Sequence, residues 1–198
     1  MKITNIASST VIIETSTKKI ICDPWLFDGE YYGSWYHYPK LEIKAESFKD
    51  IDYIYISHIH PDHLSKKSLK YFDRNIPVLI NSYSTKFLKR NIELLGFNVI
   101  ELEDNNEFKI AKNESITIFS ADNCNPELCY KFFGCGKVEN VLGSTQIDSY
   151  CLIKDNGSTL LNLNDCPFDL AQNSLKENII NKYKIDFLLV GYAGAGPY

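Results

Sequence analysis

Residues 57–63 read SHIHPDH and hold three of the chain's four histidines. One residue separates His58 from His60, and Asp62 directly precedes His63. Neutral imidazole and carboxylate groups are ligands that suit zinc, iron or manganese. The stretch therefore predicts a metal-binding loop, in preference to a surface loop that is merely rich in histidine.

The segment that leads into the motif, IDYIYIS (51–57), predicts a buried strand because most of its residues are apolar or aromatic. Such a strand would anchor the metal-binding loop in the core. In extended geometry, His58 and His60 point the same way while Ile59 points back to the core. We expect the Asp–His pair that ends the motif to begin the next helix and to face a second metal position.

The rest of the chain alternates between strand and helix patterns. The predicted strands are 11–15, 19–24, 51–57, 76–80, 98–102, 108–110, 115–120, 146–153, 158–164 and 185–191, the last of them buried. The predicted helices are 65–74, 84–97 and 167–183. The Asn-Gly pair at 156–157 predicts a hairpin, and residues 122–146 are expected to be irregular. The alternation predicts two sheet layers with helices outside, an α/β or α+β sandwich.

The composition is that of an ordinary globular protein, with 44% apolar and 23% charged residues in a chain of 198. This length predicts a single domain over residues 1–198. The net charge is −4 and no lysine–arginine cluster stands out, so we expect neither a nucleic-acid nor a membrane partner. The N-terminus lacks the apolar core of a signal peptide, and the six cysteines are expected to be thiols or ligands, which predicts a cytoplasmic protein.

HIHPDH resembles the His-x-His-x-Asp-His signature of the metallo-β-lactamase superfamily. The resemblance implies a four-layer αββα sandwich with one or two metal ions at the edge of the sheets. It implies that the His-x-His pair holds one metal position, that the Asp–His pair holds a second, and that the aspartate of LNLNDC (161–166) bridges them. The implied ligands are therefore His58, His60, Asp62, His63 and Asp165.

Three further stretches resemble a narrower branch, the metallo-β-lactamase-like domains of sugar-nucleotide hydroxylases such as the CMP-sialic acid hydroxylase. The stretches are DPW (23–25), GSW (33–35) and the closing GYAGAGPY (191–198). The chain stops where related domains generally continue, so we expect a C-terminally shortened member of the family.

The sequence also departs from the superfamily pattern in two places. The superfamily usually supplies a third histidine to the first metal and a final histidine after the last strand, but this chain has no histidine after His63. Gly191 and Tyr192 stand where the final histidine is expected. The candidate replacement ligands are Asp122, Cys124 and Asp148, and the sequence does not choose among them.

Other side chains have both a functional and a structural interpretation. The candidates for a substrate rim over the metal pocket, or for ordinary packing, are Trp25, Trp35 and Tyr192. Asp165 could serve only to cap a turn, and His37 is expected to be a solvated side chain. Four cysteines are expected to be thiols, with an iron–sulfur cluster as the alternative: Cys124, Cys129, Cys135 and Cys166.

These features predict a metal-dependent hydrolase that uses a metal-activated water on a small-molecule phosphoester, ester or amide. One or two divalent ions are expected, zinc first and iron or manganese as alternatives, with Asp62 or Asp165 orienting or accepting a proton from the water. One alternative is an iron-dependent oxygenase, or its accessory domain, that acts on a sugar nucleotide. It would need a partner for electrons, since the chain lacks paired Cys-x-His motifs. Another alternative is a binding module that has lost full metal occupancy.

Overall fold

The computed structural model describes residues 1–43, 48–83, 86–121 and 148–191. Its strands, β1 to β11, are Lys2–Ala7, Thr10–Glu14, Lys19–Cys22, Tyr53–Tyr55, Val78–Asn81, Val99–Leu102, Glu107–Ala111, Glu114–Ser120, Ser149–Asp155, Ser158–Asn162 and Phe187–Leu189. Its helices, α1 to α4, are Glu30–Gly33, Lys66–Leu69, Phe87–Glu93 and Phe168–Asn178. None of the helices in these residues has the length and apolar character needed to cross a membrane.

The strands form two sheets. One sheet has the order β1-β2-β3-β4-β5-β6, and the other has the order β11-β10-β9-β8-β7. In the first sheet, β3, β4, β5 and β6 pair in parallel, so their carboxyl ends lie along one edge. Loops that leave these ends therefore meet, and the SHIHPDH segment is one of them because it follows β4.

Alternate residues of the strands fill two different layers of core. In β2 and β3, Ile13 and Ile20 pack between the sheets with residues such as Ile153, whereas Ile12 and Ile21 face the helices outside. Helices α2 and α3 cover the first sheet through Leu69, Leu88 and Ile92, and α4 covers the second sheet through Ala171 and Leu175. The four-layer αββα sandwich is thereby confirmed, and burial on both faces explains why these strands read as continuous apolar runs.

The predicted hairpin is also confirmed. Residues 155 and 158 face each other across the turn, and both Asn156 and Gly157 have positive φ, at 45° and 91°. A two-residue turn with positive φ at both central positions matches the right-handed twist of the flanking strands.

The helices are shorter than predicted. The pattern over 65–74 yields only the single turn of α2, which Ser65 caps by accepting a hydrogen bond from the Ser68 amide. Arg74 Nη1 donates hydrogen bonds to the carbonyls of Leu69 and Phe72. A side chain therefore satisfies backbone carbonyls at and beyond the end of the helix. The pattern over 84–97 yields α3, which gives way to a turn before Gly96.

Two strands differ from the predictions. The run 185–191 was expected to be buried, but β11 is the edge of the second sheet, with Phe187 39% and Leu188 56% exposed. β1 is absent from the predicted strands, because polar residues such as Lys2 and Asn5 interrupt its apolar pattern. It forms one edge of the first sheet, where antiparallel pairing with β2 stabilises it.

Candidate metal centre

Three segments converge on one edge of the sandwich. Asp23 follows β3, the SHIHPDH segment follows the neighbouring parallel strand β4, and Asp165 follows β10 of the second sheet. Backbone bonds from Gly191 to the Asn164 carbonyl (2.9 Å) and from Leu163 to the Leu189 carbonyl (2.9 Å) fix the turn that carries Asp165. The site is therefore built where both sheets end.

The first group of ligand atoms, here called the first position, comprises His58, His60 and Asp165 and lies within a span of 4.8 Å. His58 Nε2 lies 2.9 Å from His60 Nδ1 and 3.6 Å from Asp165 Oδ1. Asp148 Oδ1 is 3.8 Å from the same nitrogen. Of the candidate replacement ligands, Asp148 is thus brought next to the first position.

The second group, here called the second position, comprises Asp62, His63 and Asp165, again within 4.8 Å. His63 Nε2 lies 3.5 Å from Asp62 Oδ2 and 3.2 Å from Asp165 Oδ2. Asp165 consequently faces the first position with one oxygen and the second with the other. The structure brings together all five of the implied ligands, in the two sets that the resemblance implies.

The residues fit a divalent cation. Asp165 Oδ1 is buried, and none of the residues that the structure describes forms a hydrogen bond with it. A buried carboxylate oxygen without a partner costs free energy, and a cation would remove that cost. A Cβ atom on Gly191 would lie 3.3 Å from the Asn164 carbonyl and 3.9 Å from Asp165 Cβ, so glycine suits the close approach that holds the carboxylate in place.

Asp23 is fully buried and contacts two residues of the SHIHPDH segment, Ser57 and the candidate ligand His63. Its carboxylate accepts hydrogen bonds from the Ser57 amide and hydroxyl, both at 2.7 Å, and lies 2.9 Å from His63 Nδ1. A carboxylate on the far nitrogen of a histidine fixes the ring and leaves Nε2 free to bind a metal. The carboxylate thereby orients His63 toward the second position.

The electrostatics of the two histidine environments differ. Burial lowers the pKa of His63, but the charges of Asp23 and Asp165 outweigh burial and raise that pKa well above its usual range. Burial also disfavours charge on Asp165, yet the bond to His63 and the nearby histidines hold the pKa of Asp165 well below its usual range. Burial lowers the pKa of His58 and of His60, which favours the neutral imidazole that a metal ligand must be.

The peptide that carries His58 is fixed from both sheets. The Ser57 carbonyl accepts hydrogen bonds from Tyr83 Oη at 3.1 Å and from Ser149 Oγ at 2.7 Å. The Ser57 hydroxyl lies 2.9 Å from His58 Nδ1. Ser57 therefore links the first position to Tyr83 beyond β5 and to Ser149 at the start of β9.

The aromatic loop, residues 25–40, lies beside the second position. Tyr31 Oη donates a hydrogen bond to Asp62 Oδ1 at 3.1 Å. Trp35 is 44% exposed and remains a candidate for a substrate rim, whereas Trp25 is only 4% exposed and packs inside the loop. His37 was expected to be solvated, but it is buried, with Asp28 Oδ1 2.8 Å from its Nδ1.

The sequence did not assign the supporting roles of two residues and misplaced a third. Asp23 stood in the DPW stretch as the end of a strand or part of a rim, and its contact with His63 was not predicted. An acidic residue that follows a strand parallel to β4 is a signal for this edge. Tyr31 had no signal beyond an aromatic-rich loop. Ile59 was expected in the core but is 36% exposed, because the chain leaves extended geometry after β4 and His58 and His60 meet across a turn.

Several predicted residues lie outside the described residues. They are Asp122, Cys124, Cys129, Cys135 and Tyr192. The described cysteines, Cys22, Cys151 and Cys166, are buried, and none of them forms a disulfide with another described residue. Burial raises the pKa of Cys22 and of Cys151, which makes these two thiols poor ligands.

The chain is similar to known proteins over most of its length. Residues 2–131 match the family described as the beta-lactamase superfamily domain. An isothiocyanate hydrolase from Delia radicum gut bacteria shares the fold, with a TM-score of 0.67 at 18% identity over 90% of this chain and 68% of that one.

Two curated relatives carry further information. A Mycolicibacterium smegmatis protein named as a Rieske 2Fe-2S iron-sulfur protein is 34% identical over 107 residues, 52% of this chain and 20% of that protein. The cytidine monophosphate-N-acetylneuraminic acid hydroxylase of Cricetulus griseus is 28% identical over 120 residues, 54% of this chain and 21% of that protein. The match spans about a fifth of the length of either relative, and the predicted resemblance to sugar-nucleotide hydroxylases is confirmed.

Proposed function

Because the chain belongs to the β-lactamase superfamily, we propose that it is a metal-dependent hydrolase that acts on a small-molecule substrate through a metal-activated water. The observation that carries this proposal is the position of Asp165, whose two oxygens face two separate groups of ligand atoms. Its buried Oδ1, which no described residue satisfies, supports the same conclusion.

Each residue has a task in this proposal. His58 and His60 would hold the first position, Asp62 and His63 the second, and Asp165 both. A divalent cation bound there supplies Lewis acidity and lowers the pKa of a water molecule to about 7. Asp62 and Asp165 present carboxylate oxygens at the same place, where either one can accept a hydrogen bond from the attacking water and orient it.

The chain's four histidines provide a test with a matched control. In protein purified without chelator, His60→Ala should lower the metal content per chain, because it removes a ligand from the first position and leaves the residues of the second position in place. His37→Gln should keep its metal, since His37 contacts Asp28 and Trp25 rather than either group of ligands. Elemental analysis measures the difference, with circular dichroism to verify the fold. Equal metal content in wild type and His60→Ala would contradict the assignment.

The curated relatives favour a second candidate, an iron-dependent oxygenase or its accessory domain that acts on a sugar nucleotide. The relatives named as a Rieske protein and as a hydroxylase each align with about half of this chain, and His and carboxylate ligands also suit iron. The sequence has no paired Cys-x-His motif, so a partner would deliver the electrons. If iron-loaded protein consumed oxygen when given a reductant and a sugar nucleotide, the oxygenase would replace the hydrolase as the proposed function. If the protein purified without chelator contained no metal, a binding module would be favoured instead.

A further inference from the structure

We propose that Tyr31 is a positioning residue of the metal centre that couples the aromatic loop to the second position through Asp62. This inference rests on the proposed function, because it concerns the same metal centre. It adds a residue that acts through a ligand and a segment of chain that responds to metal binding.

The aromatic loop is attached by a row of contacts to the start of α2 and to Asp62 of the metal-binding segment. Four consecutive loop residues take part: Asp28, Gly29, Glu30 and Tyr31. Lys67 donates to the first two carbonyls, at 3.1 and 3.2 Å, and Ser65 donates to the carboxylate of the third at 2.7 Å. The fourth contact, from the Tyr31 phenol to Asp62 Oδ1 at 3.1 Å, is the one that touches a proposed ligand. The row begins in α2 and ends at the second position.

The backbone of the loop is strained where the contact forms. Tyr31 and Tyr32 both adopt left-handed conformations, with φ of 48° and 61°. Such conformations are strained in residues other than glycine and persist only where surrounding contacts enforce them. The Gly29 amide bonds to the Trp35 carbonyl at 2.7 Å and closes the turn around these two residues. Tyr31 then lies against the site, whereas Tyr32 is fully exposed.

The two oxygens of the Asp62 carboxylate have different neighbours. Oδ1 accepts from the phenol, and Oδ2 lies 3.5 Å from His63 Nε2 and faces the second position. The phenol therefore fixes the orientation of the carboxylate before a metal binds, and such supporting contacts are worth about 10–100-fold in metal affinity. Asp62 belongs to the second group of ligand atoms and not to the first, so the effect of the phenol is expected at the second position.

Trp35 makes the coupling visible. Its ring centroid lies 4.5 Å from that of Tyr31, and the chain holds only one other tryptophan, Trp25, which is buried. If Asp62 moves when a metal binds, the Tyr31 ring should move with it and change the surroundings of the Trp35 indole, which is 44% exposed. Tryptophan emission therefore reports on the second position without a measurement of activity.

Tyr31→Phe tests the inference, with Tyr32→Phe as its matched control. Each variant removes one phenol hydroxyl from a left-handed position of the same turn, but only Tyr31 contacts Asp62. Metal-free protein is titrated with Co²⁺, and binding is followed by the visible absorption of the ion and by tryptophan emission. The binding step that persists in His60→Ala identifies the second position. We expect Tyr31→Phe to weaken that step by about 10–100-fold and to reduce the emission change.

The outcomes separate the inference from the function on which it rests. Wild type and Tyr32→Phe should bind Co²⁺ alike. The same affinity for the second step in wild type and Tyr31→Phe would overturn the inference and leave the proposed function intact. An equal loss in Tyr32→Phe would also overturn it, because the effect would then belong to the turn as a whole. Wild-type protein that binds no Co²⁺ would contradict the proposed function, and the inference would fall with it.

Discussion

The two proposed metal positions differ in the groups that orient their proposed ligands. At the second position, Asp23 fixes His63 and Tyr31 fixes Asp62, so both unshared ligands are oriented by a hydrogen bond from outside the site. At the first position, His58 contacts the Ser57 hydroxyl. Asp148 Oδ1 lies 3.8 Å from His58 Nε2. Among the described contacts, the second position is therefore supported by a buried carboxylate and the first by a neutral hydroxyl.

Charge makes the same distinction. The second position offers two carboxylates and one imidazole, and the first offers one carboxylate and two imidazoles. Attraction of a divalent cation rises with the negative charge of its ligands. We therefore expect the second position to fill first at a pH where His63 gives up its proton, because the raised pKa of His63 opposes metal binding at lower pH. A familiar ligand motif does not make its two positions equal, because the partners of the ligands come from other parts of the chain.

Replacing the ligand that the two positions share should have the largest effect. Asp165→Ala removes one ligand from each, so metal content should fall close to zero and metal-dependent hydrolysis of a generic phosphodiester or ester should be lost. Asp169→Ala, an exposed carboxylate four residues on at the start of α4, should keep its metal. Elemental analysis compares the variants. Full metal content in Asp165→Ala would show that the positions do not share this group.

Asp23→Asn should affect the two positions unequally. Asparagine tolerates the left-handed backbone of residue 23, where φ is 44°, so the change removes charge with little strain. The loss of the charged partner of His63 should weaken the second position by about 10–100-fold. The first position should be weakened less, because Asp23 reaches His58 only through the Ser57 hydroxyl. Calorimetric titration with Zn²⁺ resolves the two steps. An equal loss at both positions would remove the basis of the comparison.

Asp148, which lies beside His58 of the first position, provides a prediction about stability and pH. Burial and the charge of Asp165 raise the pKa of Asp148 to about 7. A carboxyl group with a raised pKa favours the folded state at low pH, and this contribution is lost as pH rises from about 4 through 7. In metal-free protein, Asp148→Asn should therefore gain stability relative to wild type between pH 4 and pH 8, by at least about 1 kcal/mol. Urea unfolding measures the gain, and a difference independent of pH would contradict this reasoning.

Much of the fold follows from local sequence. The apolar runs of β2, β3, β4 and β5 and the Asn-Gly turn at 156–157 each contain their own signal, because strand burial and turn geometry depend on neighbouring residues. Helix length was harder to predict, since Arg74 ends α2 through side-chain bonds that no periodicity reveals. The exposure of β11 depends on its place at the edge of a sheet, which local pattern does not encode.

The same division applies to the site. The motif at 58–63 indicates four of the proposed ligands because they are close together in sequence. The assignment of Asp165 was implied by the resemblance to the superfamily. Asp23 and Tyr31 are 40 and 31 residues from the groups that they contact, so only the fold brings them together. The burial that raises the pKa of Asp148 is likewise a property of the assembled sheets.

We propose that the chain holds metal at two unequal positions that share Asp165. Anomalous diffraction from crystals of protein loaded with a limiting amount of Zn²⁺, recorded on both sides of the zinc absorption edge, locates the bound ions. We expect a strong peak between Asp62, His63 and Asp165 and a weaker one between His58, His60 and Asp165. Peaks of equal height would contradict the inequality, and the absence of a peak at Asp165 would contradict the metal centre itself.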